Sequence, residues 1–310
     1  MMEKGAKIYV AGHQGLVGSA LMRALRGRGF TNLVIRSPQE LDLRTQHAVH
    51  TFFETHKPAY VFLAAAKVGG IQANVDYPAD FIYDNLAIQL NVIDAAYRVG
   101  VKKFLFFGSS CIYPRNCQQP IKEEYLLTDQ LEQTNEPYAI AKIAGIKLCQ
   151  AYNKQYGTNF IACMPTNLYG PGDNFDLQTS HVIPGLIAKM HKARIENKDE
   201  VLLWGTGKPL REFLFVDDLA DAALHLMEHY SGNEVINVGS GAEYTIAHLA
   251  REIKESVGFQ GSIIFDATKP DGTPRKLLDS SRLSALGWQV KTPLNVGLRH
   301  TIKWFKEQNV

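Results

Sequence analysis

The sequence predicts an α/β fold, a Rossmann-type doubly wound parallel sheet followed by a smaller C-terminal α/β unit. Three observations carry this expectation. Short apolar runs alternate with helical periodicity through the first half of the chain. A loop with glycines spaced three and three, Gly12-His-Gln-Gly-Leu-Val-Gly18, follows the first apolar run at once. The irregular stretches 64–70, 108–114 and 165–172 also follow apolar runs, so all four loops gather beyond the carboxyl ends of the strands, where such sheets bind ligands.

The elements follow in order. Residues 7–11 read as a buried strand and 19–28 as a helix. Between them Gly12 permits the tight turn, Gly15 lets backbone approach a pyrophosphate, and Gly18 lets helix and strand pack closely. The helix N-terminus offers free N–H groups to phosphates. The next strand, 32–35, ends at Arg36-Ser37, where an NAD site usually carries an acid. A cation there suits a 2′-phosphate, so NADP is expected, and Asp42 lies within reach of an adenine. A helix at 45–56, a strand at 60–64, a helix at 79–99 and strands at 103–107 and 159–164 continue the alternation. Beyond Gly172 the pattern is less regular. A helix is expected near 180–190 with Pro184 in its first turn, and a strand at 201–204. Residues 211–218 lead into a helix capped by an Asp. A last sheet strand is expected at 235–238, amphipathic helices at 245–257 and 294–306, and a polar loop with two adjacent cations at 269–276. The second unit begins near Thr166, and the chain crosses back to the first around 215–239.

Composition narrows the function classes. A chain of 310 residues with 45% hydrophobic content can bury a full core. A net charge of +2 without a basic run does not suggest a nucleic-acid partner. No apolar run approaches the ~18 residues of a membrane span, and no signal-peptide pattern opens the chain, so a cytoplasmic protein is expected. Cys111, Cys117, Cys149 and Cys163 lack metal-ligand spacing, so free thiols and no metal are expected.

The sharpest chemical signal is Tyr138-Ala-Ile-Ala-Lys142 in the run Asn135 to Gly145. Residues four apart on a helix share a face. A lysine ammonium near a phenol would lower its pKa and make Tyr138 a proton donor and acceptor near neutrality.

Gly12-x-x-Gly-x-x-Gly18, Ser109-Ser-Cys111, Tyr138-x-x-x-Lys142 and Arg211-Glu-Phe-x-x-Val-Asp-Asp218 together resemble the extended short-chain dehydrogenase/reductases. Gly108-Ser-Ser-Cys-Ile-Tyr-Pro114, Met164-Pro-Thr-Asn-Leu-Tyr-Gly-Pro171, Ser180-His-Val-Ile-Pro184 and Lys269-Pro-Asp-Gly-Thr-Pro-Arg-Lys276 narrow this, over nearly the whole chain, to similarity with the GDP-L-fucose synthase family. These are bifunctional NADPH-dependent 3,5-epimerase/4-reductases acting on GDP-4-keto-6-deoxy-D-mannose. The resemblance implies a 1–165 NADP-binding domain with a return segment near 215–239, a mainly GDP-sugar-binding 166–310 domain, and a homodimer. It implies that Gly12, His13, Gln14, Gly15, Leu16, Val17 and Gly18 hold the pyrophosphate side of NADP(H). Arg36, Asp42, Leu43, Ala65, Phe107, Gly108, Ser109, Ser110 and His181 would also bind the cofactor. Lys142 would hold the nicotinamide ribose and tune Tyr138, and Pro165, Thr166, Asn167 and Leu168 would line the nicotinamide. Ser109 and Tyr138 would hold the sugar's C4 oxygen. Cys111 and His181 would be the acid/base pair at C3 and C5, in either order. Lys189, Trp204, Arg211 and Asp271 would bind the GDP-sugar. Gln14 and Pro38 depart from the family pattern, which carries arginines there for the 2′-phosphate.

Such chemistry needs these residue types. Protons at C3 and C5 are α to a C4 ketone, and removing either one leaves charge on the C4 oxygen. Thiol and imidazole pKa values bracket neutrality, which suits them to move such protons. A redox-neutral nucleotide-sugar 4-epimerase shares the Tyr and Lys but has no need of a Cys/His pair. A non-catalytic NADP-binding regulator often lacks the Tyr or the Lys.

Overall fold

The computed structural model describes residues 2–269, 271 and 273–308. Its centre is a six-stranded sheet in which every pairing is parallel. Strand β1 (Ile8–Ala11) has all four residues buried, as expected for a strand covered on both faces. The glycine loop leads to α1 (Leu16–Gly27), which starts three residues earlier than periodicity suggested. Then come β2 (Leu33–Val34), α2 (Gln46–His56) and β3 (Tyr60–Leu63). A short helix that sequence reasoning missed, α3 (Ile71–Asp76), precedes the long α4 (Pro78–Arg98). Strand β4 (Lys103–Phe107) is wholly buried, Lys103 included. Its ammonium donates to the carbonyls of Leu226 and Tyr230, and burial pushes its pKa down to about 8.

Helix α5 (Glu136–Tyr156) carries the Tyr/Lys pair. Pro137 lies in its first turn and Gly157 closes it in the left-handed region. It packs along α4, where the Gln89 amide donates 2.6 Å to the Ala141 carbonyl and pins its register. Strand β5 (Phe160–Pro165) completes the first half, and β6 (Asn167–Tyr169) turns a segment expected to be loop into a strand.

The remainder comprises α6 (Val182–Ile195), β7 (Glu200–Trp204), β8 (Leu210–Phe215), α7 (Val216–His229), β9 (Ile236–Val238), β10 (Glu243–Thr245), α8 (Ile246–Val257), β11 (Ser262–Asp266), β12 (Arg275–Lys276), α9 (Ser281–Ala285) and α10 (Leu294–Gln308). The central sheet runs β2-β1-β3-β4-β5-β9. Strand β8 pairs with β6, β10 and β12, while β7 pairs with β11. Two buried clusters flank the central sheet, and a third lies among α6, α8, α10 and their strands.

One local expectation is corrected. Neither Asp217 nor Asp218 caps α7, whose N-cap is Phe215. The chain passes from β8 into α7 without a break. Both carboxylates therefore lie in the first turn and serve other elements. Asp217 pairs with Arg23 of α1, and Asp218 accepts from the backbone of Lys291 and Thr292. The expected loop at 269–276 includes Pro270 and Gly272, which lie outside the described residues, and its end is strand β12. Among the described residues no helix is long and apolar enough to cross a membrane.

Candidate active site

One cleft of about 2050 Å³ runs over the carboxyl ends of the central strands. That is roughly twice the upper end of ordinary single-ligand pockets, so it has room for a dinucleotide and a second ligand. Every site residue singled out from the sequence lines it.

At its dinucleotide end the glycine loop is built by close backbone approach. A Cβ on Gly18 would meet the Gly12 carbonyl oxygen at 2.0 Å. Gly12 has φ +83°, and a Cβ there would meet the Ala65 backbone at 2.7 Å. Helix α1 opens at Gly15 without a side-chain cap, leaving its first N–H groups to an anion. The Nδ1 of His13 is buried without a partner, an unsatisfied group inside the same loop. Arg36 lies over Phe52, donates 2.7 Å to the Ile35 carbonyl and sits 3.1 Å from the His56 ring nitrogen; it pairs with no carboxylate among the described residues. These features fit a bound dinucleotide phosphate. Asp42 is instead clamped by Arg44, which also reaches Asp84. The loop 64–70 is held by Asn85, which accepts from the Lys67 N–H at 3.0 Å and donates to the Lys67 carbonyl at 3.0 Å. Sequence reasoning missed this clamp, because Asn85 carries no motif.

At the middle of the cleft Ser109 opens a single helical turn, Ser110–Ile112, whose Cys111 is 8% exposed. Burial pushes the Cys111 thiol up, while Lys276, a hydrogen bond with Ser109 and Lys142 pull it back. Lys142 donates 2.9 Å to the Phe107 carbonyl, and its ammonium lies 5.8 Å from the Tyr138 ring centre. Burial pushes Lys142 down to about 8. The expected depression of Tyr138 is absent. Burial holds its phenol well above the ordinary value, Cys111 adds to that, and only Ser109 acts the other way. The reason is physical: the ammonium is engaged by a carbonyl, and desolvation of the phenolate outweighs a cation several ångströms away. Desolvation also holds His181, the N-cap residue of α6, below the usual imidazole value. Cys111 and His181 are thus both biased toward their neutral forms.

At the far end stand the residues expected to meet a nucleotide sugar. Trp204 is 69% exposed on β7, with Lys269 5.8 Å from its ring centre. The Lys189 ammonium donates to the Leu202 carbonyl. Arg211 donates 2.8 Å to the Leu210 carbonyl and has no carboxylate partner among the described residues. Asp271 accepts from Thr206 through its N–H at 2.6 Å and its hydroxyl at 2.7 Å. Two further residues line the cleft that the sequence did not single out for a role. Lys276 had shown only as one of two adjacent cations. Asp173 has one oxygen buried without a partner, and burial pushes its pKa up to about 7.

Residues 8–239 match the NAD dependent epimerase/dehydratase family. The chain is 61% identical to a putative GDP-L-fucose synthase 2 of Arabidopsis thaliana, over all of this chain and 94% of that one. It is 53% identical to a GDP-L-fucose synthase of Escherichia coli K12, covering 97% of each. A solved GDP-L-fucose synthetase from Naegleria fowleri bound to NADP superposes with a TM-score of 0.93 at 31% identity, covering 100% of this chain and 96% of that one. With strand, glycine loop, helix and the Tyr/Lys pair arranged on one cleft, the chain belongs to the NAD dependent epimerase/dehydratase family.

Proposed function

We propose that this protein is a GDP-L-fucose synthase: it inverts C3 and C5 of GDP-4-keto-6-deoxy-D-mannose and reduces the C4 ketone to give GDP-L-fucose. The observation that carries the reading is the common placement of Ser109, Cys111, Tyr138 and His181 in the cleft that also holds the glycine loop. Full-length relatives named for this activity support it.

In this reading residues 1–165, with a return near 215–239, hold NADP, and 166–310 mainly hold the GDP-sugar. The loop 12–18 and the first N–H groups of α1 cradle the pyrophosphate, and Arg36 faces the 2′-phosphate. When bound, NADPH supplies the hydride that reduces C4. Ser109 and Tyr138 hold the C4 oxygen while it carries the enolate charge, worth roughly 10²–10³ in rate per donor. Cys111 and His181 take a proton from one face of the ring carbon and return one to the other, worth about 10²–10⁴. Tyr138 then gives its proton to the C4 alkoxide, and Lys142, one turn further along α5, holds the nicotinamide ribose. Lys189, Trp204, Arg211 and Asp271 bind the GDP-sugar. We place the protein in the reducing cytoplasm, which suits its four free thiols. We place a second copy against α4 and α5, whose Tyr83, Leu90 and Ile140 are 70%, 49% and 42% exposed.

The test is absorbance loss of NADPH on adding GDP-4-keto-6-deoxy-D-mannose in deuterated buffer, with NADH in parallel. Oxidation with deuterium at C3 and C5 of a GDP-fucose product is expected. Turnover without net oxidation would replace this reading with a redox-neutral epimerase.

A further inference from the structure

Two segments distant in sequence are tied to one buried amide. Asn237 of β9 accepts from the Tyr113 hydroxyl at 2.6 Å, and donates to the Ile121 carbonyl at 2.9 Å and the Asp279 carbonyl at 3.1 Å. Tyr113 lies two residues past Cys111, and Asp279 three past Lys276. Between these anchors the segments run against each other. Leu277 donates 2.8 Å to the Gln119 side chain and accepts from the Ile121 N–H at 2.8 Å, and Asp279 donates 2.8 Å to the Ile121 carbonyl. On its other side Lys276 is paired in register with Arg211, and the buried Glu212 accepts from the Leu278 N–H at 3.0 Å. Lys276 therefore sits on a strand held to Arg211 on one side and, through residues 277–279, to the segment that follows the Cys111 turn on the other, and Lys276, Arg211 and Cys111 all line one cleft.

The Lys276 ammonium has no hydrogen-bond acceptor and no carboxylate partner among the described residues. An ammonium without a partner, in the same cleft as a buried thiol, is available to negative charge.

We propose that Lys276 is a positioning residue for the carbon-acid step, its ammonium holding the negative charge of the Cys111 thiolate. The proposal rests on the reading of Cys111 as one of the two acid/base groups. If the thiolate takes a proton from carbon, an S–H bond forms, the C–H bond breaks, and its electron pair passes to the C4 oxygen. If the thiol gives a proton, the same bonds change in reverse. In either order Cys111 is an anion at one end of the step, and burial opposes that anion. The charged or titratable groups acting on Cys111 are Lys276 from β12, Lys142 and Tyr138 from α5, and Ser109 hydrogen-bonds it from its own turn. On Lys276 burial acts most strongly and lowers its pKa; Cys111 opposes it, Arg211 adds to it, and Cys117 and Glu132 oppose it. Of the two cations that act on Cys111 among the described residues, Lys142 is already bonded to the Phe107 carbonyl, and Lys276 has no such bond.

The test uses the full-length protein and its Lys276→Gln and Lys276→Arg variants. Alkylation of Cys111 by iodoacetamide is followed at its own peptide by mass spectrometry, across roughly pH 6–10 to span the ordinary thiol range. Lys276→Gln should move the alkylation midpoint up by about one pH unit, making the reaction roughly tenfold slower at pH 7. Lys276→Arg should bring it back toward the wild type. An unmoved midpoint in Lys276→Gln overturns the proposal. So does an equal shift in both variants, which would trace to packing rather than charge. Deuterium wash-in at C3 and C5 by the wild type tests the acid/base reading separately. Its absence removes the carbon-acid role from both residues, whatever the alkylation profile shows.

Discussion

Substituting Gly18 by alanine tests the glycine loop at its tightest point. The added Cβ would lie 2.0 Å from the Gly12 carbonyl oxygen, 2.6 Å from the Gly12 carbonyl carbon and 2.7 Å from the His13 Cα. Ordinary contact begins at 3.4 Å, so backbone must yield by more than an ångström. No flexible side-chain end is available to move instead. Gly12 cannot retreat easily, because a Cβ on it would already meet the Ala65 backbone at 2.7 Å. The relief open to the chain is to lift the first turn of α1 off β1. Overpacking of this kind costs about 1–3 kcal/mol of stability. It also misplaces N–H donors aimed at a pyrophosphate. Losing two charge-assisted hydrogen bonds at about 1.5–3 kcal/mol each weakens binding by roughly 10²–10⁴-fold. NADPH affinity from fluorescence titration and unfolding in denaturant measure the two effects. Gly15→Ala is the control. A Cβ there meets only the Gly12 carbonyl oxygen, at an ordinary 3.6 Å, and φ is −77°. That variant should keep its stability and lose NADPH affinity, because only a ligand needs the space. A Gly18→Ala protein that binds NADPH within about twofold of wild type and unfolds at the same denaturant concentration would refute the reasoning.

Other outcomes follow from the same geometry. Tyr138→Phe should retain NADPH binding and lose NADPH consumption by about 10²–10⁴-fold; unchanged consumption would remove Tyr138 as the proton donor. Asn85→Ala orphans the N–H and carbonyl of Lys67, at about 1–3 kcal/mol each, and should raise the Kd for NADPH by loosening loop 64–70; equal midpoints in urea would contradict it. Burial pushes Asp173 up to about 7 from 3.8. Its neutral form therefore favours the folded state: that stability is fully present below the unfolded value and is lost as pH rises through about 7. Asp173→Asn should accordingly raise the melting temperature at pH 8, with the gain vanishing toward the unfolded value near 3.8; a gain that does not depend on pH would refute it.

How much of this was legible in the sequence depends on the range of the forces involved. The alternation of buried strands with helices, the loop 12–18, and Tyr138 one turn from Lys142 are consequences of local periodicity and of glycine's missing Cβ. They can be read along the chain, and they place the fold and the cofactor end of the cleft. Strands β6, β11 and β12 could not be read this way. They are two to five residues long and exist because β8 and β7 offer them partners. The aspartates at the start of α7 look like caps in sequence and serve distant elements in three dimensions.

The sequence alone determined which chemical groups the protein carries: a glycine cradle, a phenol and an ammonium four residues apart, a thiol after a buried strand, and an imidazole opening a helix. The tertiary structure decided their ionisation and their company. Burial, not the neighbouring lysine, dominates the Tyr138 phenol, because desolvation depends on every element packed around a group rather than on one neighbour four residues away. It also tied the segment after Cys111 and the segment after Lys276 to one buried amide on β9, a link across distant parts of the sequence that no local pattern encodes.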